Sequence, residues 1–396
     1  MTIQSTDPEM SGARPCRILF VNSTSEVGGA DVDLLEICRC LDRGRFSPIV
    51  VLPHEGPLSL RFEAAGVRMV YCDTAPVKHF RTVGEIVGYP CRLLWTVVTL
   101  WRLIRREGVQ IVHVNTAVLP AAGYAAWLAG AFCVWHVREI ELLQRSRIVG
   151  AFLRTSMRIC ASRIVAISHA VAAGLGPWAT ARTRVIYHGV DIERFVPNAS
   201  DCAVRNEYHI PGDAAVIGYV GRLSPIKGLS GLITAFSEVR GSRRDAYLLL
   251  VGPVLGYQAH VEDLQREAND LGLAEFVIFA TACEDVASAI RAMDVVVIPT
   301  LVPEGLGLAI LESLATGRPV VATNHGGPVE ILADCLAARL IPPRNSAAIA
   351  TAVTEILDAP EDRRRALSAE ARAWAVERFG IHRMITELMD VYRVAA

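Results

Sequence analysis

Two carboxylates, Glu304 and Glu312, stand eight positions apart in the segment PEGLGLAILESLATGRPVVATNHGGPVEIL, residues 303–332. Between them Gly305-Leu306-Gly307 breaks the chain and opens an apolar helix. Eight residues is just over two helical turns, so the acids fall near one line. Glu304 sits at the mouth of the helix and Glu312 on its flank. A helix mouth offers amides without internal partners and the positive end of a dipole, which suits a phosphate. Carboxylates beside it suit sugar hydroxyls. The combination predicts a pocket for a sugar nucleotide.

A second group lies upstream, in GYVGRLSPIKGL, residues 218–229. Gly221 ends an apolar run, and Arg222 and Lys227 follow on the loop beyond it. Two cations there would clamp a diphosphate, arginine as a planar fork and lysine as a mobile point charge. Two solvated surface charges is the plainer account of a bare Gly-Arg…Lys pattern. Lysine is scarce: Lys78 and Lys227 are the two in the chain.

These residues need strands that end together and helices that start beside them. The pattern supplies both. CRILFVNS (16–23) is a strand with an apolar run, Ile18 to Val21, bounded by small polar residues, followed by the Gly28-Gly29 turn and the helix ADVDLLEICRCL. FSPIVVLP, VRMVYCD, VQIVHVN, FCVWHVRE, SRIVAIS and RTRVIYHGV continue the strands, with a long helix at about 84–107 and another at about 146–160. The pattern restarts with AAVIGYVGRL (214–223), then AYLLLVGP, FVIFAT, VVVIPT and PVVATN, again separated by helices. Apolar strands alternating with helices indicate parallel sheets covered on both faces. The polar stretch between the halves reads as a linker, and the final segment, IHRMITELMDVYRVAA, as a lone amphipathic helix. The expected architecture is α/β: two Rossmann-like, doubly wound domains facing across a cleft, with ligands outside the carboxyl ends of the strands.

Composition bounds the function. The 396 residues are 52% hydrophobic and 20% charged, enough for two ordinary domains. A net charge of -1 argues against bulk nucleic-acid binding. The charge is unevenly spread: residues 1–200 hold 22 Lys and Arg against 16 Asp and Glu, and the remainder 18 against 25. The ten cysteines are scattered without a CxxC pair, and residues 1–15 are polar with no signal-like apolar core. Both point to a reduced, cytoplasmic protein. Residues 117–135 carry no charge, but Pro120, Gly123 and Gly130 favour a buried helix followed by a strand over a membrane span.

The segments GYVGRLSPIKGL and VVVIPTLVPEGLGLAILESLATGRPVVATNHGGPVEIL together resemble the retaining glycosyltransferases of family 4, which have the GT-B fold. VNSTSEVGGADVDLLEICRCL, IVHVNTA, WHVRE, IVAISHAV and VIYHGVDIERF fit as well, so the resemblance covers about 16–379. It implies residues 16–195 as an acceptor-side domain, 196–212 as a linker and 213–378 as the nucleotide-sugar-binding domain. Residues 379–396 would form a helix packing back on the first domain.

By the same resemblance, Glu304 would hydrogen-bond the transferred sugar and Glu312 the ribose. Arg222 and Lys227 would hold the diphosphate, with backbone amides of Gly307 and Leu308 adding donors. Gly28 and Gly29 would let the first-half loop approach the donor phosphate and the acceptor, and His136 would stand near the reacting sugar. No metal or other cofactor is expected. Breaking a sugar–phosphate bond builds negative charge on the phosphate, which preorganised cations and amides stabilise. A strand-end histidine taken alone is more often structural. His113 and His188 read as structural, His325 has no derivable role, and Glu139 reads as a surface ion pair. Ala280-Thr281, where the family often has glycine, and Gly305-Leu306, where it often has a bulky residue after the first glutamate, are departures that bear on the base and sugar pockets.

The stretch 89–106 mixes Trp95 and Trp101 with Arg92, Arg102, Arg105 and Arg106. Such a helix packs on the sheet with solvated arginines, or lies on an anionic membrane. The expected function is transfer of a sugar from a nucleoside diphosphate donor, UDP or GDP, to a glycan or lipid-linked acceptor in surface polysaccharide or glycolipid assembly. A peripheral contact with the inner face of the membrane would accompany it. The alternatives are a sugar-nucleotide epimerase on the same scaffold and a non-catalytic sugar-nucleotide-binding protein.

Overall fold

A computed structural model describes residues 15–77, 82–140, 147–197, 203–281, 283 and 285–394. The polar stretch 1–14 and Lys78, both noted in the sequence, lie outside the described residues, as does part of the linker, 198–202.

Thirteen strands are described. The first seven are β1 (Cys16–Val21), β2 (Phe46–Leu52), β3 (Arg68–Tyr71), β4 (Ile111–Val114), β5 (Phe132–Val137), β6 (Arg163–Ala166) and β7 (Thr183–Val185). They form one sheet in the order β3-β2-β1-β4-β5-β6-β7. The other six are β8 (Ala215–Val220), β9 (Ala246–Val251), β10 (Val277–Ala280), β11 (Val295–Ile298), β12 (Val320–Thr323) and β13 (Ala338–Ile341), in the order β10-β9-β8-β11-β12-β13. Every described strand pair is parallel. The cause is composition: Ile18 to Val21 and Val295 to Val297 are fully buried, so their strands need helices on both faces.

In each sheet the strand order reverses once, between β1 and β4 and between β8 and β11. The loops leaving neighbouring strands diverge there and open a crevice at the strands' carboxyl ends.

Contacts divide the chain into two compact units. One is Met1–Trp135 with Ile159–Ser162 and Met389–Ala396; the other is His136–Arg158 with Arg163–Leu388. In the first unit, Tyr392 from the last helix, Ile381–Arg393, meets buried His113 at 2.7 Å from Oη to Nδ1. That pair gives His113 a packing role. In the second unit, the linker region contains a short helix, Ala203–Glu207, where the sequence suggests irregular chain. Val204 is buried, and Arg205 Nη1 donates to the carbonyls of Pro211, Gly212 and Ala214. One guanidinium thereby orders a stretch that its own polarity leaves unspecified.

Candidate active site

Glu304 and Lys227 come together because β8 and β11 are neighbours at the point of reversal in the second unit. Lys227 ends a single 3₁₀ turn, Pro225–Lys227, on the loop after β8. Gly228 follows with φ 72°, and a Cβ there would stand 2.2 Å from the carbonyl oxygen of Pro299. Only glycine allows both that dihedral and that approach. Leu301 N donates to Ile226 O at 2.8 Å and ties the two loops.

The outcome is an ion pair. Lys227 Nζ donates to Glu304 Oε1 at 2.7 Å, and Thr300 Oγ1 donates to Glu304 Oε2 at 3.0 Å. Burial pushes the Glu304 carboxyl up, but the lysine charge, its hydrogen bond and the Thr300 hydroxyl outweigh burial and hold it below the ordinary value. The carbonyl of Thr300 in turn accepts from Thr323 Oγ1 at 3.1 Å and meets His325 Nε2 at 2.9 Å. His325 thus buttresses the turn that carries Glu304.

The backbone of Glu304 is fixed by Gly326 and Gly327. Gly327 N donates to Glu304 O at 2.9 Å, and Glu304 and Gly326 form an isolated bridge. Gly326 has φ 71°, and a Cβ on it would lie 2.3 Å from Glu304 O. The helix Leu308–Ala315 starts after Gly307, at φ 98°. Ile310 N turns back to Gly307 O at 3.0 Å, and the amides of Leu308 and Ala309 have no partner within the helix. Glu312, on the flank, makes no described side-chain hydrogen bond. Burial raises its pKa to about 7, with Arg194 acting in the opposite sense.

Arg222 follows Gly221 and is exposed. Its carbonyl accepts from Tyr219 Oη at 2.9 Å, which fixes the backbone. His136, at the end of β5, is buried with Arg138 and His188. Arg138 Nη2 lies 3.2 Å from His136 Nδ1, and Nη1 lies 3.3 Å from His188 Nδ1. The Arg138 carbonyl oxygen would be 2.4 Å from a Cβ on Gly305, so the chain after β5 runs directly against the Glu304 loop. His188, read as structural, belongs to this cluster.

Gly28 and Gly29 lie in the first unit, where Gly28 caps the helix Gly29–Cys40. Gly28 N donates to Asp31 Oδ2 at 3.0 Å, and Asp31 Oδ1 accepts from Asn22 Nδ2 at 2.7 Å. Asn115 Nδ2 donates to Asn22 Oδ1 at 2.9 Å. The glycine turn is thereby pinned to the carboxyl ends of β1 and β4. A cleft of about 320 Å³, lined by Gly228, Ser230, His260, Pro299 and Arg344 among others, adjoins the second-unit loops, but neither Lys227 nor Glu304 lines it. Among the described residues no group of three or more His, Cys, Asp or Glu is placed to hold a metal ion.

The chain matches two family models. "Glycosyltransferase Family 4" matches residues 27–194 and "Glycosyl transferases group 1" matches 203–374. This chain belongs to the group 1, family 4 glycosyltransferases. The chain is 36% identical over 197 residues to a GDP-mannose-dependent alpha-(1-6)-phosphatidylinositol monomannoside mannosyltransferase of Mycolicibacterium smegmatis, covering 48% of this chain and 50% of the relative. It is 34% identical over 218 residues to D-inositol 3-phosphate glycosyltransferase 2 of Catenulispora acidiphila, covering 53% and 50%. In both, the chain spans about half the relative's length. Among solved structures, HepE of Anabaena with UDP and glucose superposes with a TM-score of 0.81 at 24% identity, over 95% of this chain and 99% of that one. Two parallel Rossmann-like sheets of seven and six strands give the chain the GT-B fold.

Thr300, Arg138 and Asp31 are candidate-site residues that motif reading passed over, and His325, left without a role by the sequence, supports the Thr300 carbonyl. For Arg138 the signal existed: in His136-Val137-Arg138 the outer residues fall on one face of a strand.

Proposed function

We propose that this glycosyltransferase is a retaining, metal-independent enzyme that moves a sugar from a nucleoside diphosphate sugar, GDP- or UDP-linked, to a glycan or lipid-linked acceptor. The observation that carries the reading is the Lys227–Glu304 pair beside the Gly307 helix mouth. A sugar diphosphate has an anionic part and a hydroxylated part. Lys227, Arg222 and the Leu308 amide suit the first, and Glu304 suits the second. On arrival the diphosphate would draw Lys227 and release Glu304 to the sugar.

Bond breaking then builds negative charge on the diphosphate, where two cations and the helix mouth stabilise it in the role a divalent ion fills elsewhere. The acceptor hydroxyl attacks the sugar from the same face, and the departing phosphate takes its proton. Glu312 holds the ribose. Relatives named for GDP-mannose, phosphatidylinositol mannoside and inositol 3-phosphate support a mannose-like donor and a phosphorylated or lipid-borne polyol acceptor.

A peripheral membrane contact through the helix Val83–Glu107 goes with a lipid-linked acceptor. No described helix is long and apolar enough to cross a membrane. The direct test screens UDP, GDP, ADP and their sugars by thermal shift, since a ligand that binds the folded chain raises its melting point. Transfer is then followed by NMR of the anomeric proton. A stabilising donor that is merely hydrolysed, or a product of inverted configuration, refutes the proposal.

A further inference from the structure

His325 is half-buried, and its two ring nitrogens have different surroundings. Nε2 lies 2.9 Å from the carbonyl oxygen of Thr300, whereas Nδ1 is enclosed and has no hydrogen-bond partner among the described residues. A carbonyl oxygen only accepts, so the proton of that bond must sit on Nε2. The neutral ring is thereby fixed as the Nε2–H tautomer.

The same carbonyl accepts from Thr323 Oγ1 at 3.1 Å, and Thr300 and Thr323 are each 2% exposed. Two side-chain donors therefore hold one end of the loop Thr300–Glu304. Backbone holds the other end: Gly327 N donates to Glu304 O at 2.9 Å, and Glu304 forms a bridge with Gly326. These contacts all come from residues 323–327, so the chain leaving β12 clasps the loop at both ends. Between the two ends, Thr300 Oγ1 donates to Glu304 Oε2 at 3.0 Å. That hydroxyl stays on the carboxylate only while the Thr300 backbone keeps its place.

We propose that His325 is a positioning residue: as an Nε2–H donor to the Thr300 carbonyl it keeps the Thr300 hydroxyl on Glu304 Oε2 and so sets the orientation of that carboxylate. The consequence for turnover rests on the proposed function, which gives Glu304 to the donor sugar. The substance is the chain of contacts from His325 through Thr300 to Glu304.

The first test is a long-range ¹H–¹⁵N spectrum of the chain labelled at its ten histidines, with the His325 signals assigned by their loss in His325→Gln. A proton on Nε2 is expected. A neutral ring protonated on Nδ1 overturns the proposal, whether or not any other variant folds. Kinetics supply the second test. His325→Leu removes the donor, and kcat should fall by about 10²-fold, the scale of a displacement of about 1 Å at a reacting group, with donor KM within about threefold. His325→Gln places an amide N–H where Nε2–H stood and should keep kcat within about fivefold of wild type. In the Glu304→Gln chain, His325→Leu should lower kcat by no more than about threefold further, because residues that act as a unit are not additive. An unchanged kcat in the leucine variant, equal losses in the leucine and glutamine variants, or a further loss of about 10²-fold in the Glu304→Gln chain each overturn the proposal. The spectrum needs no turnover. A chain that transfers no sugar yet carries the Nε2 proton would sink the transferase reading and leave the His325–Thr300 contact in place.

Discussion

Lys227 Nζ lies 2.7 Å from Glu304 Oε1, across 77 residues of sequence. Without a donor the two charges satisfy each other; under the proposed function each would gain a further partner when a donor binds. Lys227→Met removes that exchange. We expect kcat/KM to drop by about 10²- to 10³-fold, with weaker binding of nucleoside diphosphates. Stability should fall as well, in a pH-dependent way. The Glu304 carboxyl is held below its ordinary value, so its pairing stabilises the fold above that value and the benefit disappears as pH falls through the lowered one. The melting difference between variant and wild type should therefore be largest near neutrality and vanish in acid. A difference independent of pH would contradict the pairing.

Glu304→Gln keeps the shape and discards the charge. If Glu304 faces the transferred sugar, nucleotide affinity measured by calorimetry should stay within about threefold while turnover falls by at least about 10²-fold. Thr300 still has an amide oxygen to donate to, so the loop should hold. Loss of nucleotide binding would reassign Glu304 to the phosphate end of the pocket.

Glu312 titrates in an accessible range. Burial raises its pKa to about 7, so near neutrality it is only partly ionised, and a ribose diol is best held by the carboxylate. The dissociation constant for the nucleoside diphosphate should rise about tenfold from pH 8 to pH 6, and Glu312→Gln should flatten that dependence. The same shift acts on stability with the opposite sign to Glu304. The folded chain binds the proton more tightly than the unfolded one between the ordinary value and about 7, so stability declines as pH rises through that window. Glu312→Gln should consequently melt higher than wild type at pH 8. A pH-independent affinity in the wild-type chain would remove Glu312 from the ribose.

What the sequence exposes and what it hides divide along one physical line. Glu304, Glu312 and the Gly305-Leu306-Gly307 turn are local: their spacing already says helix mouth and helix flank. The strands are legible for the same reason, since runs such as VVVI are buried on both faces and need no partner to be recognised. Thr300, His325 and Arg138 act through contacts, with carbonyls and rings 25 or 50 residues away. Glu330 is the extreme case: its carboxylate accepts from His169 N and Ala170 N, about 160 residues distant, and so caps the helix His169–Leu175. Only the strand order brings such groups together. The arginine-rich helix shows the converse error. Its charges look free in the sequence, yet Arg92 Nε pairs with Asp73 at 2.5 Å, and Arg106 shares Glu107 with Arg68.

Gly326 is a structural test of the site. Its φ of 71° and the 2.3 Å approach of a Cβ to Glu304 O both exclude a side chain. Gly326→Ala should lower stability by about 1–3 kcal/mol, the usual range for forced overpacking and a strained dihedral. It should lower kcat by a larger factor than the melting point alone explains, because the backbone that moves is that of Glu304. Denaturant titration alongside steady-state kinetics separates the two effects. Normal activity in a destabilised variant would show that the Glu304 loop tolerates displacement.

The surface of the helix Val83–Glu107 carries Val87, Leu94 and Trp101 at seven-residue intervals, all exposed, with Trp95 beside them at 60%. Trp127, 56% exposed, and Leu128 extend the apolar face from the helix Pro120–Ala129 in the same unit. With Arg92 and Arg106 engaged in ion pairs, Arg102 and Arg105 remain as exposed cations at the end of this face. Aromatic insertion should then dominate and charge should assist, at about 1 kcal/mol per basic residue near an anionic surface. The chain should float with phosphatidylglycerol vesicles and less with neutral ones. Trp95→Ser combined with Trp127→Ser should abolish flotation at any salt concentration, whereas Arg102→Ser with Arg105→Ser should weaken it and reduce its salt dependence. Turnover of a water-soluble acceptor should be unaffected by either pair, because neither touches Lys227 or Glu304. Wild-type chain that floats no better than albumin would leave the exposed tryptophans without a membrane role.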